Sequence, residues 1–279
     1  MAEDDRKPRR PPRPSRRGEE DRPTRLRVVR GGKAATKKGR GAVPPPKASK
    51  RARTGTSKGR DRGPDPRRRR RRPASGDVRD EILRLGGSRG PRYYEQLAKA
   101  ADAFGRDHER DAIRILRPLR DALPESPSVR ELLGLSLYRD GKFTAAAREL
   151  EEYVRITDRV DQHPVLMDCY RAQRRWKRVD DLWRELAATS PPPELATEGR
   201  IVAAGALADR GRVGDALRLL GRRATKVGRP REYHLRLWYA LADLEERAGN
   251  LPRARALFDR VRAHDAGFAD VAERLAALA

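Results

Sequence analysis

The sequence predicts an all-α fold, an α-solenoid of helical hairpins stacked in a line behind a long basic N-terminal tail. Three observations predict it. Apolar residues recur at steps of three and four through the C-terminal two thirds of the chain, which places them on helical faces. A small residue or valine returns at a near-constant interval, at Ala112, Ala146, Val179, Ala216 and Ala254, spaced 34, 33, 37 and 38 apart. Charge is segregated: residues 1–76 hold 28 Lys and Arg against 8 Asp and Glu, a net +20 of the chain's +25.

The tail comes first in the chain. Residues 1–76 contain no Phe, Trp or Tyr, are rich in Pro, Arg and Gly, and include the unbroken run Arg67, Arg68, Arg69, Arg70, Arg71 and Arg72. No apolar face is available there to offset the entropy of ordering, so disorder is expected. A flexible polycation condenses on nucleic acid by counterion release without reading sequence. The six arginines are therefore candidate contacts for RNA or DNA, with ribosomal RNA, an anionic membrane surface and a purely solubilising role as the alternatives. The remainder, 38 basic and 33 acidic residues, has the balance of an ordinary domain.

Residues 77–85 read as a short helix, with Asp77 as N-cap, Gly86-Gly87 as the stop, and Val78, Ile82 and Leu85 on one face. Nine residues are too few to be stable alone. This helix is expected to pack on the first hairpin, or to act as a linear motif occupying a binding groove. Five copies of one helix–turn–helix unit follow, at about 93–126, 127–160, 160–196, 197–234 and 235–268. Pro118 falls inside the second helix of the first copy and should kink it near its end. The two wide intervals predict longer helices or connections around 191–196 and 225–233. Residues 269–278 form a last helix whose Val271, Leu275 and Leu278 face one way, suited to capping the open end of a stack.

The second copy is the clearest. Leu132, Leu133, Leu135, Leu137 and Tyr138 make its first helix apolar, Gly134 keeps one face small, and Gly141 can take the left-handed conformation that ends a helix. Phe143, Ala146, Ala147, Leu150, Tyr153 and Val154 then share a face of the second helix, with Glu149, Glu151, Glu152, Arg148 and Arg155 on the wet side. A lone hairpin of this kind cannot bury its own apolar face. With Leu133-Gly134, Leu137, Gly141, Ala146 and Leu150 in a single register, the unit resembles the tetratricopeptide repeat, whose period is about 34 residues. It departs at Arg130, where a large apolar residue is usual, and at Asp158, where proline is common.

The resemblance implies a right-handed superhelix of about five hairpins plus a C-terminal capping helix, over residues 93–279, with 77–92 as short helix and linker. It also implies a non-enzymatic scaffold that holds a peptide or protein on its concave face. Projecting that face onto this register picks Tyr138, Arg139, Asp168, Arg171, Asp209, Arg236, Tyr239 and Asp243 as candidate groove residues, against the plainer reading of a solvated helix face. Family members that grip a terminal carboxylate use a clamp of polar residues; Leu97 and Ala101 stand at the clamp positions of the first copy, which argues against that ligand.

No constellation for catalysis is present, and neither a cofactor nor a metal is expected. His108, His163, His234 and His264 fall in different copies and make no metal-ligand spacing. Gly55-Thr56-Ser57-Lys58-Gly59 and Gly86-Gly87-Ser88-Arg89-Gly90 lack the spacing of a phosphate loop and read as linkers. The single cysteine, Cys169, excludes an intramolecular disulfide and a cysteine-based zinc site, reads as a packed small side chain, and fits a reducing cytoplasm. No apolar run approaches the roughly 18–20 residues of a membrane span, and the N-terminus lacks the apolar core of a signal peptide. The abundance of Arg, Ala, Gly and Pro suggests GC-rich, bacterial coding. Trp176, Trp183, Trp238, Phe143 and Phe258 sit at repeat positions that core packing explains; Tyr138 and Tyr239 lie beside such positions.

Overall fold

The computed structural model describes residues 78–221, 227 and 229–278. The tail, with its Arg67–Arg72 run, and Asp77 lie outside the described residues. Twelve α-helices and no strand are found among the described residues: α1 (Val78–Gly86), α2 (Gly90–Gly105), α3 (Glu109–Ala122), α4 (Pro127–Arg139), α5 (Phe143–Thr157), α6 (His163–Ala172), α7 (Trp176–Ala188), α8 (Pro193–Asp209), α9 (Val213–Gly221), α10 (Glu232–Arg247), α11 (Leu251–His264) and α12 (Val271–Ala277). Helices α2 to α11 pair into the five expected hairpins.

One backbone device closes all five. A residue with positive φ stands in each turn: Asp107 (59°), Gly141 (77°), Arg174 (57°), Gly211 (78°) and Gly249 (79°). The next amide donates back to the first helix, from His108 to Ala103 O, Lys142 to Leu137 O, Arg175 to Tyr170 O, Arg212 to Leu207 O and Asn250 to Glu245 O, at 2.8–2.9 Å. This is the Schellman closure, which satisfies a carbonyl that the helix end leaves orphaned. Five residues after each turn comes Ala112, Ala146, Val179, Ala216 or Ala254, every one fully buried. The recurring small position is thus where a second helix lies closest to its neighbours. In the second hairpin the close approach runs through Gly134, where a Cβ would come within 2.7 Å of Leu150 Cγ.

First helices of neighbouring hairpins touch along a row, most extensively α6 with α8 and α8 with α10, whereas successive second helices meet at most at their edges. The row of first helices therefore forms the inner side of the curve. Helix α8 is the hub. Its Val202, Ala203 and Ala206 join the core that begins at Ile82, and its Ile201, Ala204 and Ala208 join the core that ends at Leu275. Small side chains on both faces let helices pack on either side at interior density.

Both ends are covered. Helix α1 packs on α2 with Ile82 fully buried, and its Glu81 accepts from Ser126 Oγ (2.5 Å), Ser128 Oγ (2.6 Å) and Ser128 N (3.2 Å) at the start of α4. Val78, grouped with Ile82 on spacing, is instead 43% exposed. A 3₁₀ turn over Gly87–Arg89 joins α1 to α2, which begins three residues earlier than the repeat boundary at 93. At the other end α12 buries Val271 and Leu275 against α11. Helix α3 runs through Pro118 to Ala122. The wide interval around 191–196 is accounted for by α8, 17 residues long and opening at Pro193. The other falls on the 222–231 connection, where 222–226 and 228 lie outside the described residues.

Candidate functional site

Along the inner row, charged side chains pair across helix after helix. The Tyr138 hydroxyl on α4 donates to Asp168 Oδ2 on α6 at 2.8 Å. Arg171, three residues on and so on the same face of α6, lies 3.5 Å from Asp168 and donates through Nε to Asp209 Oδ2 on α8 at 2.6 Å. Arg247, at the end of α10, reaches Asp209 at 3.4 Å and Asp243 at 4.0 Å. Arg274 of α12 closes the series on Asp243 (3.0 Å) and Glu246 (2.6 Å).

Three further groups flank this ladder. Arg236 of α10 grips Glu198 of α8 with two nitrogens. The Tyr239 hydroxyl donates to Asp270, and its ring meets Phe258 and Phe268 at 5.5 and 5.8 Å. Arg139 stacks 3.8 Å over the Phe104 ring and donates to Phe104 O at 3.2 Å.

The eight candidate groove residues divide by burial. Asp168, Arg171, Arg236 and Tyr239 are 6, 8, 5 and 0% exposed, so they lie between helices. Tyr138, Arg139, Asp209 and Asp243 are half-buried, so part of each side chain reaches the surface. Burial raises the Asp168 carboxyl above its ordinary range, with Arg171 pulling the other way; Asp243 is raised by burial against Arg274 in the same manner. The Tyr138 and Tyr239 phenols are pushed up, first by burial and then by the carboxylates they face, and so remain donors. Nη1 of Arg236 and of Arg274 are buried with no hydrogen-bond partner. Such pairs add little net stability, because desolvation offsets attraction, but removing one partner strands the other. Their effect here is to set how each first helix sits on the next.

A family model for the tetratricopeptide repeat matches residues 94–161 and 202–268. Over these stretches the chain carries tetratricopeptide repeats. A thermophilic tetratricopeptide-repeat protein from Thermus thermophilus has a similar fold, with a TM-score of 0.52 at 16% identity, covering 67% of this chain and 98% of that one. No curated protein matches the chain. The matched stretches hold nearly all of the first two hairpins, the second half of α8 with α9, and the fifth hairpin. Between them, α6, α7 and the first part of α8 go unmatched, and Asp168, Arg171 and Glu198 lie in that stretch.

Sequence reasoning missed Glu198, Arg247, Asp270 and Arg274. A signal existed. Arg171–Asp209, Glu198–Arg236 and Asp209–Arg247 are each 38 residues apart, and Tyr138–Asp168, Tyr239–Asp270 and Asp243–Arg274 are 30 or 31 apart. Opposite groups one repeat away mark an inter-repeat pair. Cys169 is fully buried and burial pushes its thiol well above the usual range, which keeps it the unreactive neutral form. Trp238 and Phe258 are fully buried, whereas Trp176, Trp183 and Phe143 are half-buried against the core. Among the described residues no three His, Cys, Asp or Glu side chains cluster at a size to hold a metal ion.

Proposed function

We propose that this protein is a non-enzymatic scaffold that holds a peptide or a protein segment on the inner face of the tetratricopeptide array. The observation that carries this is the unbroken row of first helices, whose half-buried Tyr138, Arg139, Asp209 and Asp243 present an aromatic and both charges. The buried Asp168, Arg171, Arg236 and Tyr239 shape that face from beneath. A partner of mixed charge in extended form suits such a surface, since rim charges steer and select while the apolar ground supplies area. The tail adds a second anchor: its net +20 is a sequence-independent attraction for RNA or DNA. Among the described residues no helix is long and apolar enough to cross a membrane.

The test is site-specific photocrosslinking in the full chain. A crosslinker at Arg139 or Asp243 should capture one discrete polypeptide that survives nuclease and high salt, while the same group at Arg117 on α3 captures none. Equal capture from Arg117, or loss of the partner with nuclease, would show that the inner face is not the binding surface and leave the tail as the functional element.

A further inference from the structure

The third hairpin turn is unlike the other four in charge. Arg174, Arg175, Lys177 and Arg178 are all exposed at one edge of the stack. Arg178 pairs with Glu151 at 3.0 Å, but among the described residues Arg174, Arg175 and Lys177 have no acidic partner. The flanking turns consume their cations: Lys142 binds Asp140, Arg210 holds Asp180 with two nitrogens at 2.9 Å, and Arg212 binds Asp215. The excess therefore stands at one place. Trp176, half-buried, lies in the middle of it with the Arg210 guanidinium 5.8 Å from its ring. Arg175 and Arg178 both lie over the Tyr170 ring, at 4.9 and 5.2 Å, which holds their guanidinium groups in place above the turn.

The backbone adds a second observation. Three of the five turns put glycine at the left-handed position; the first puts Asp107 there, and this one an arginine at φ 57°. A side chain at positive φ costs strain that glycine avoids, so exchanging Arg174 for glycine keeps the turn while removing the cation.

We propose that this turn binds a single-stranded polynucleotide, with Arg174, Arg175 and Lys177 on its phosphates and the open part of the Trp176 indole against a base. Cations with an interleaved aromatic are the chemistry that single strands select, because every base has a π-face and every linkage a charge. A lipid surface is disfavoured, since among the described residues the exposed large apolar side chains are Val78 and Leu251 and neither belongs to this hairpin. The site lies at the turn edge rather than on the inner face, so it and the groove can be occupied together. The tail supplies a second cationic contact to the same long ligand.

The experiment measures full-chain binding to short oligouridine and oligothymidine by fluorescence anisotropy across salt. Arg174→Gly/Arg175→Gln/Lys177→Gln should reduce the slope of log K against log salt by about 2, at roughly 0.7 per phosphate contact on a single strand. Arg114→Gln/Arg117→Gln/Arg148→Gln removes the same charge from exposed positions on α3 and α5 and should leave the slope unchanged. Arg174→Gly alone should weaken binding while raising the melting temperature, which separates the site from any structural role. A loss with only one of the two probes assigns the site to RNA or to DNA. An unchanged slope in the turn variant, equal losses in both triple variants, or displacement by polyglutamate as readily as by oligonucleotide would overturn the proposal. None of these results bears on crosslinking from the inner face.

Discussion

In the second hairpin α4 and α5 meet across Gly134, Leu150 fills the space a side chain would take, and the turn is glycine. In the third, α6 buries eight of its ten residues, two of them Asp168 and Arg171, and the turn is arginine. Charge enters both, but differently: Glu149 of α5, placed on the wet side by its spacing, is 6% exposed and pairs with Arg130 inside the second hairpin and Arg120 of the first, whereas Arg171 of α6 finds Asp209 in the following hairpin. The difference shows what the middle of the array must do: α6 touches α4, α5, α7 and α8, so it has no face to leave in water. A charged residue on such a helix has to bring its partner from the next repeat, and Asp209 of α8 is that partner.

The comparison breaks most sharply if the charges of α6 are removed singly. Arg171→Met leaves Asp168 and Asp209 facing each other in a buried space and should cost about 3–5 kcal/mol in urea unfolding. Asp168→Asn should be nearly neutral, because burial already disfavours this carboxylate and the amide oxygen can still accept from Tyr138. Leu150→Ala in the second hairpin should cost about 2–5 kcal/mol whatever the pH. Equal losses for Arg171→Met and Asp168→Asn would mean that the ladder is not what seats α6.

A second measurement separates shape from charge at the next interface. A Cβ on Gly205 would lie 2.6 Å from Arg171 Nη1. Gly205→Ala should therefore push the guanidinium off Asp209 and cost about 1–3 kcal/mol. In an Arg171→Met background the same change should cost far less, and a double-mutant cycle reads that coupling.

The smallest effect is a pH dependence. His163 is 1% exposed at the start of α6, with Nε2 3.2 Å from Glu185, and burial holds its pKa below the ordinary 6.5 against the pull of that carboxylate. The native state therefore favours neutral imidazole. Stability is full above pH 6.5 and declines as the pH falls through 6.5 toward the depressed native value, because the unfolded chain takes up the proton first. Melting temperatures measured between about pH 7.5 and 5 should show a shallower decline for His163→Gln, which keeps a donor toward Glu185. His234, also lowered by burial, leaves a residual slope.

Much of the array is legible along the chain because its signals are local. The i, i+3, i+4 steps, Gly141 and the residues at 112, 146, 179, 216 and 254 each report a helix face or a turn within one hairpin, and all five hairpins and the capping helix follow from them. Val78 is misplaced because nine residues of amphipathic pattern do not say which way a docked helix rotates; Ile82 and the contact of Glu81 with Ser126 and Ser128 decide that. The candidate inner-face residues come from a projection, and a projection says which side of a helix a residue occupies but not how close the next helix stands. Tyr239 and Arg236 lie beneath that face for this reason.

The sequence by itself determined that helical hairpins stack here, how many there are and where each turns, since those features depend on the order of apolar, small and left-handed positions within about 34 residues. It also determined the charge of the tail. Only the tertiary structure decided which charges are spent on each other. Asp209 finds Arg171 and Arg247, each 38 residues away, while Arg174, Arg175 and Lys177 have no acidic partner among the described residues. Coulomb energy depends on distance and local dielectric, and neither is a property of the chain until the helices have packed.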